Sequence, residues 1–384
     1  MSITVTSAER AAEPARRPAR RGAGRGLRAP EGPAGWLFVS PMILVIGVFL
    51  VVPIFMALWV SFSDWNGQGS PFSASVNWVG TKNYANLITN PGLTQTDFMT
   101  SIRNNLYFVL IVVPLQTVLA LILALILNAK RLKAKSFFRT AYYFPSVTSS
   151  VAISVVFLFL FSSSGAVNAG LNLVGVHGPN WFADPRGVFH IVLGGLGVNT
   201  DSPPSALTGH GVGGLSWWDW LSGPSVAMSA IIALVVWTTA GTFMLFFLAA
   251  LQDIPVEVEE AAEVDGASAW QRFRNITLPL LRPTLFLVLT LGVIGTWQVF
   301  DQIYVMSQGA PGKTTLTPAY LSYDSSFTNF EWGQGSAIAF ILFTLIVVLT
   351  LAQRRLLREK DGPSRRELRR RAKAAAKAPE PART

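Results

Sequence analysis

The sequence predicts an all-α membrane protein with six transmembrane helices. Three observations support that reading: the composition, a series of six apolar runs, and a one-sided distribution of basic residues. Of 384 residues, 51% are hydrophobic and only 14% are charged, too apolar a mixture for one soluble domain of ordinary make-up. Six runs are each long enough to cross about 30 Å of hydrocarbon at about 1.5 Å of rise per residue. Lys and Arg accumulate in short cytoplasmic segments, and 27 of the 31 in this chain lie in segments that alternate with the others across those runs.

Residues 1–35 form a basic tail rich in Arg, Ala and Pro, expected to be disordered and cytoplasmic. The first run, Trp36 to Phe62, follows some thirty-five mostly polar residues and is long enough to span. It therefore reads as a retained anchor, not a cleaved signal peptide. Ser63 to Asn104 is expected outside, so residues 36–100 comprise the first span and an external loop. The core, 101–352, holds the other five runs: Asn105 to Leu127, Ala141 to Phe161, Ser225 to Leu251, Leu281 to Met306, and Gly335 to Ala352. A second basic tail, 353–384, closes the chain.

With the N-terminus inside, the cytoplasmic side receives 7 basic residues in the leading tail, 5 from Lys130 to Arg139, 3 from Arg272 to Arg282, and 12 in the trailing tail. Outside remain only Lys82, Arg103, Arg186 and Lys313. Both termini are thus expected in the cytoplasm. The formal charge of +10 sits almost entirely in these flanking segments, which argues against a nucleic-acid partner. The chain has no cysteine, and so no disulfide, thiolate metal site or cysteine nucleophile. Pro41, Pro53, Pro114 and Pro145 lie in or at the ends of spans, where proline frees a backbone carbonyl and can kink a helix. That suits a moving gate and a static bundle equally.

Between the fourth and fifth runs lies a polar block, Asp253 to Pro283, with six acids from Asp253 to Asp265 and no base among them. Pro255 suits a first helical turn, with Asp253 as its cap. Glu257, Glu259, Glu260 and Glu263 complement the positive end of the helix dipole. Ala261 and Ala262 leave a thin surface that a partner can approach closely. Asp265-Gly266 signals a turn, and a second helical stretch then runs to Leu278-Pro279. Helices that lie on a cytoplasmic leaflet are usually basic, because that leaflet is anionic. An acidic helix here fits a protein partner better than lipid.

The block resembles the EAA loop of the membrane subunits of binding-protein-dependent ABC importers. The likeness rests on Glu260-Ala261-Ala262, three residues, Gly266, nine residues, Ile276, one residue, and Leu278-Pro279. From about Ser101 to Ala352 the order of features is similar to the branch that carries sugars and related polyols. The resemblance implies the ABC importer permease fold, with the loop 253–283 as a cytoplasmic coupling helix. Its contact with the ATPase subunit would centre on Glu260, Ala261, Ala262, Asp265 and Gly266. It further implies a second permease subunit, two ATPase subunits and an extracytoplasmic solute-binding protein, in a bacterial cell membrane. No cofactor would bind this chain, since ATP and Mg belong to the partner ATPase.

Ser307 to Thr315 ends like a phosphate-binding loop at Gly312-Lys313-Thr314, but Ser307 stands where that motif needs glycine. His177, His190 and His210 are too widely spaced for a metal site. On the fifth run, Trp297, Asp301 and Tyr304 follow i, i+4, i+7 spacing with Gln298 beside them, which would place them on one helical face. An acid in or at the mouth of a span is by default a functional candidate. Aromatic faces and amides suit a sugar-sized polyol, whereas a role in the interfacial aromatic belt is the competing reading. Gln116, Thr117, Thr238 and Thr239 are further cavity candidates, or interhelix hydrogen-bonding groups. No residue set reads as catalytic, so the chain itself is not expected to be an enzyme.

Two alternatives remain at this point. An ion-coupled secondary transporter needs coupling-ion sites and often shows inverted repeats, and Asp301 is the one intramembrane acid found. An importer of glycerol phosphate esters would call for cavity arginines, which the spans almost lack. A departure from the sugar branch is a Gly- and Ser-rich extension from about Pro185 to Asp219. Trp181 to Pro185 and Trp220 to Pro224 look like variants of one element, which suggests a local duplication.

Overall fold

The computed structural model describes residues 31–129, 132–200 and 202–357. Most of both basic tails therefore lies outside the described residues. The chain divides into two units, Met1–Phe55 and Met56–Thr384. In the first, helix α1, Glu31–Ile46, leads into a π turn at Gly47–Val51. Helix α2, Val52–Ser61, follows.

In the second unit, α3, Lys82–Ile88, packs on α4, Leu93–Asn128. Helix α4 begins well before the expected Asn105, because its first three turns are amphipathic and carry Phe98 and Ser101 into the core. The loop after α2 is shorter than expected by the same amount. The pair α4 and α5, Val226–Gln252, is the axis of the bundle. Ala120 and Ala124 on α4 are fully buried, and Phe243, Met244 and Phe247 of α5 fill one cluster with them. A second cluster, including Phe108, Val112, Ile231 and Leu234, fills the half of the bundle nearer the N-terminal end of α4.

Two of the six expected spans are not single straight helices. The third expected run is split into Lys135–Val147 and Ser150–Leu160, which meet at 98°. Pro145 sits inside the first piece without ending it. The break follows the hydroxyls instead: Ser146 Oγ donates to Tyr143 O and Thr148 Oγ1 to Phe144 O. Thr148 and Ser149 then adopt extended ψ angles of 146° and 128°. Such side chains compete with the helix for its own carbonyls.

The fifth run enters through Ala269–Leu280 and turns by 66° into Arg282–Trp297. That helix stops at Trp297, and a separate short helix, Asp301–Met306, begins after the non-helical residues 298–300. The sixth span is Trp332–Leu357. The extension between the third and fourth spans is part of the second unit. It holds a helix, Val188–Gly195, and a two-residue hairpin pairing Gly211 with Ser216. Its two ends are tied by a bridge between Gly187 and Ser225, with Val188 N–H donating to Pro224 O and Val226 N–H to Arg186 O. The two similar pentapeptides noted in the sequence thus flank one neck.

Candidate functional site

Two regions carry candidate function, the acidic loop and a cavity inside the bundle. In the loop, the helix is Val256–Val264 with Pro255 at the capping position. Asp253 does not cap it, but closes the preceding helix. Glu257 and Glu259 lie in the first turn, where the dipole favours anions. Gly266 has φ +73°, a left-handed value that glycine adopts at little steric cost. Its N–H donates to Glu263 O, and the Ala267 N–H reaches back to Ala262 O, which is a Schellman end.

Glu260, Ala261, Asp265 and Gly266 are exposed, and Ala262 is buried. Glu263 pairs with Arg272, and Ser268 and Gln271 form a reciprocal cap on the following turn. Val264 is 88% exposed and Trp270 66%, so the acidic loop carries two large apolar side chains that the described residues leave uncovered.

The cavity, about 320 Å³ in volume, lies between α4, α5 and the helix Arg282–Trp297. A neighbouring hollow of about 280 Å³ shares Thr239, Phe243 and Gln302 with it. The expected single face of Trp297, Asp301 and Tyr304 does not exist, because the helix is broken between the first of these and the second. Gln116, Gln298 and Asp301 do line the cavity. Trp297 is turned into the core with Val109, Val113 and Leu342. Tyr304 stands against Phe300 and Tyr323, outside the lining.

The break is held open by side chains from other elements. Trp297 O accepts from Asn105 Nδ2, and Val299 O accepts from the Thr317 hydroxyl. Irregular backbone within a bundle persists where such partners satisfy it. Asp301 Oδ2 accepts from Ser150 Oγ at 2.5 Å, which ties the two broken spans together. Ser150 and Gln302 were not singled out in the sequence. Their signal is weak, a serine at a helix start and an amide beside the acid.

Gln116 is buried, with Thr239 Oγ1 2.6 Å from its Oε1 and also 2.6 Å from Val235 O. A hydroxyl has one proton and donates to only one of them. Gln116 Nε2 has no partner among the described residues. It lies where Gly292 leaves room: a Cβ at 292 would come within 2.6 Å of that nitrogen. Thr117 donates to Val113 O and Thr238 to Leu234 O, each within its own helix. The walls of both hollows combine amides, hydroxyls and the Asp301 carboxylate with apolar surface, and include no Lys or Arg among the described residues.

At the opposite end of the bundle from the acidic loop, Arg103 and Asn104 hold two loops to α4. Arg103 Nη1 donates to Asp219 O, and Asn104 Nδ2 donates to Lys313 O and Leu316 O. Lys313 pairs with Asp97 at 2.7 Å. The Gly312-Lys313-Thr314 turn is thus a structural fastening. Among the described residues no group of acids and histidines is arranged to hold a metal ion.

Residues 116–361 match the family model of the binding-protein-dependent transport system inner membrane component. The chain belongs to that family. The permease is 31% identical over 329 residues to the lactose transport system permease of Rhizobium radiobacter, covering 85% of this chain and 94% of that one. It is 30% identical to the trehalose/maltose transport system permease of Thermococcus litoralis, covering 85% and 94%. A solved bacterial ABC transporter involved in the import of the acidic polysaccharide alginate shares the fold. Its TM-score is 0.61 at 19% identity, over 87% of this permease and 99% of that chain. The importer permease fold expected from the sequence is therefore correct, and the secondary-transporter alternative falls.

Proposed function

We propose that this permease, with a second permease subunit, forms the pathway of an ATP-driven importer for a sugar or polyol delivered by an external solute-binding protein. The observation that carries the substrate class is the cavity wall. Gln116, Thr239, Gln298, Asp301 and Gln302 offer directional donors and acceptors beside the rings of Phe108, Phe243 and Phe300. A neutral polyol matches that mixture. Relatives named as permeases for lactose, trehalose/maltose and arabinooligosaccharides support the same class. A phosphate ester would place an anion beside Asp301 with no cation in the wall, so glycerol phosphate esters are disfavoured.

In this reading two ATPase subunits hydrolyse ATP with Mg, and Glu260, Ala261, Ala262, Asp265 and Gly266 meet one of them. The uncovered Val264 and Trp270 beside the acids support such a contact. The basic segments support a bacterial cell membrane location with both termini in the cytoplasm. The test is uptake by intact cells with and without the gene, using labelled lactose, trehalose, maltose and arabinooligosaccharides. Loss of uptake of one of them on deletion, restored by the gene in trans, is the expected result. Unchanged uptake of all of them refutes the substrate class.

A further inference from the structure

Six aromatic rings form one continuous row that ends in the cavity. Trp65, in the loop after the first span, lies 5.4 Å from Trp332 between ring centres. Trp332 is 4.6 Å from Phe327, and Phe327 is 5.0 Å from Tyr323. Tyr323 is 5.3 Å from Tyr304 and 5.2 Å from Phe300. Phe300 is itself part of the cavity wall, at the break in the fifth span. The rings come from four separate segments, so no single helix periodicity produces the row.

Phe327 is 55% exposed and Tyr304 40%, so these rings offer free surface on this chain. An aromatic belt at a membrane interface anchors the bundle at one depth and has no reason to run into a polar cavity. The row also carries the hydroxyls of Tyr304 and Tyr323. A carbohydrate matches that combination, because the C–H face of a sugar ring packs on an aromatic face while its hydroxyls reach polar groups at the edge.

We propose that this row is a binding track on which successive sugar rings stack as the substrate passes from the external loops to the cavity. The track rests on the carbohydrate reading above. Spacings of about 5 Å between neighbouring rings let a sugar leave one ring as it engages the next. A track also predicts a length effect, because a longer oligosaccharide covers more rings at once.

The test is initial-rate uptake by intact cells carrying the complete importer, with labelled lactose, trehalose, maltose and arabinooligosaccharides as probes. Tyr304→Leu and Phe327→Leu remove a ring at an exposed position while keeping apolar bulk, and Tyr304→Phe and Phe327→Tyr keep the ring. Membrane amounts are matched by immunoblot, and co-purification of the partner subunits is measured in parallel. The leucine variants are expected to raise KM by about threefold to tenfold, the scale of one lost aromatic contact. The ring-keeping variants are expected to stay within about twofold of the parent. Wild-type kinetics in both leucine variants overturn the track, and so does a loss of co-purifying permease that accounts for the lost uptake. If the unaltered importer takes up none of the probes, the carbohydrate reading itself fails and the track falls with it.

Discussion

Replacement of Gly266 probes the acidic loop through a position where the backbone and the surroundings make separate demands. Gly266 has φ +73°, and apart from its chain neighbours no described residue comes within 4 Å of where a Cβ would sit. A non-glycine residue there pays left-handed strain of about 1 to 2 kcal/mol, which asparagine tolerates best. That cost corresponds to a shift of about fivefold to thirtyfold in a local equilibrium. It falls on a loop outside the buried clusters, so insertion and bundle packing should survive. If the ATPase approaches this surface, any side chain at 266 meets it. Gly266→Asn and Gly266→Leu should therefore both lower uptake and transport-coupled ATPase activity, leucine more, at unchanged membrane levels. Normal uptake in Gly266→Leu would refute the coupling role. Full activity in Gly266→Asn with loss in Gly266→Leu would reduce the effect to backbone strain and remove the argument for a close partner.

Further expectations follow from single contacts. Gly292→Ala would drive a methyl against Gln116 Nε2 and to 3.6 Å from Val113, an overpacking cost of about 1 to 3 kcal/mol. Lower uptake at equal expression is expected, read by initial rates. Asn104→Ala removes two hydrogen bonds that hold the 313–316 turn, worth about 1 kcal/mol each. Faster protease cleavage in that turn on spheroplasts is expected. Deletion of 188–224, whose ends are already bridged, should leave membrane insertion intact, read by immunoblot of the membrane fraction. Burial lowers the His190 pKa below its ordinary 6.5, and Arg103 adds to the shift while the Trp218 carbonyl and Asp219 oppose it. The folded extension thus favours neutral His190, so its stability is present above about pH 6.5 and lost as pH falls from there towards the folded pKa. Proteolysis of the extension should rise over that window, and His190→Gln should flatten the profile.

The run lengths made the positions of the apolar spans legible, because they follow from the thickness of a bilayer: four are single long helices and two are bent pairs. The acidic loop was legible for a local reason too: Pro255, the glutamates and Gly266 each act on the turn in which they sit. The two breaks were not legible. The break at residues 298–300 depends on Asn105 and Thr317, which lie 192 and 18 residues from the carbonyls they satisfy. Without those partners Trp297 to Tyr304 reads as one helix, and a stripe inferred from spacing mixes a core residue, a cavity acid and an exposed ring. At the other break the proline was the obvious local signal, yet Thr148 and Ser149 mark the bend. Gln116 was recognisable as a polar group in a span, but its pairing with Thr239 and the space left by Gly292 belong to three helices at once.

The central claim is that this permease works as the membrane subunit of an ATP-driven importer. Its most direct test is a mild-detergent pull-down of the tagged chain from its native membrane, with co-purifying proteins identified and ATPase activity assayed. A second permease and an ATPase recovered together, with ATP hydrolysis that Gly266→Leu diminishes, is the predicted result. A lone chain without ATPase activity, recovered from intact membranes under conditions that preserve other complexes, would contradict it.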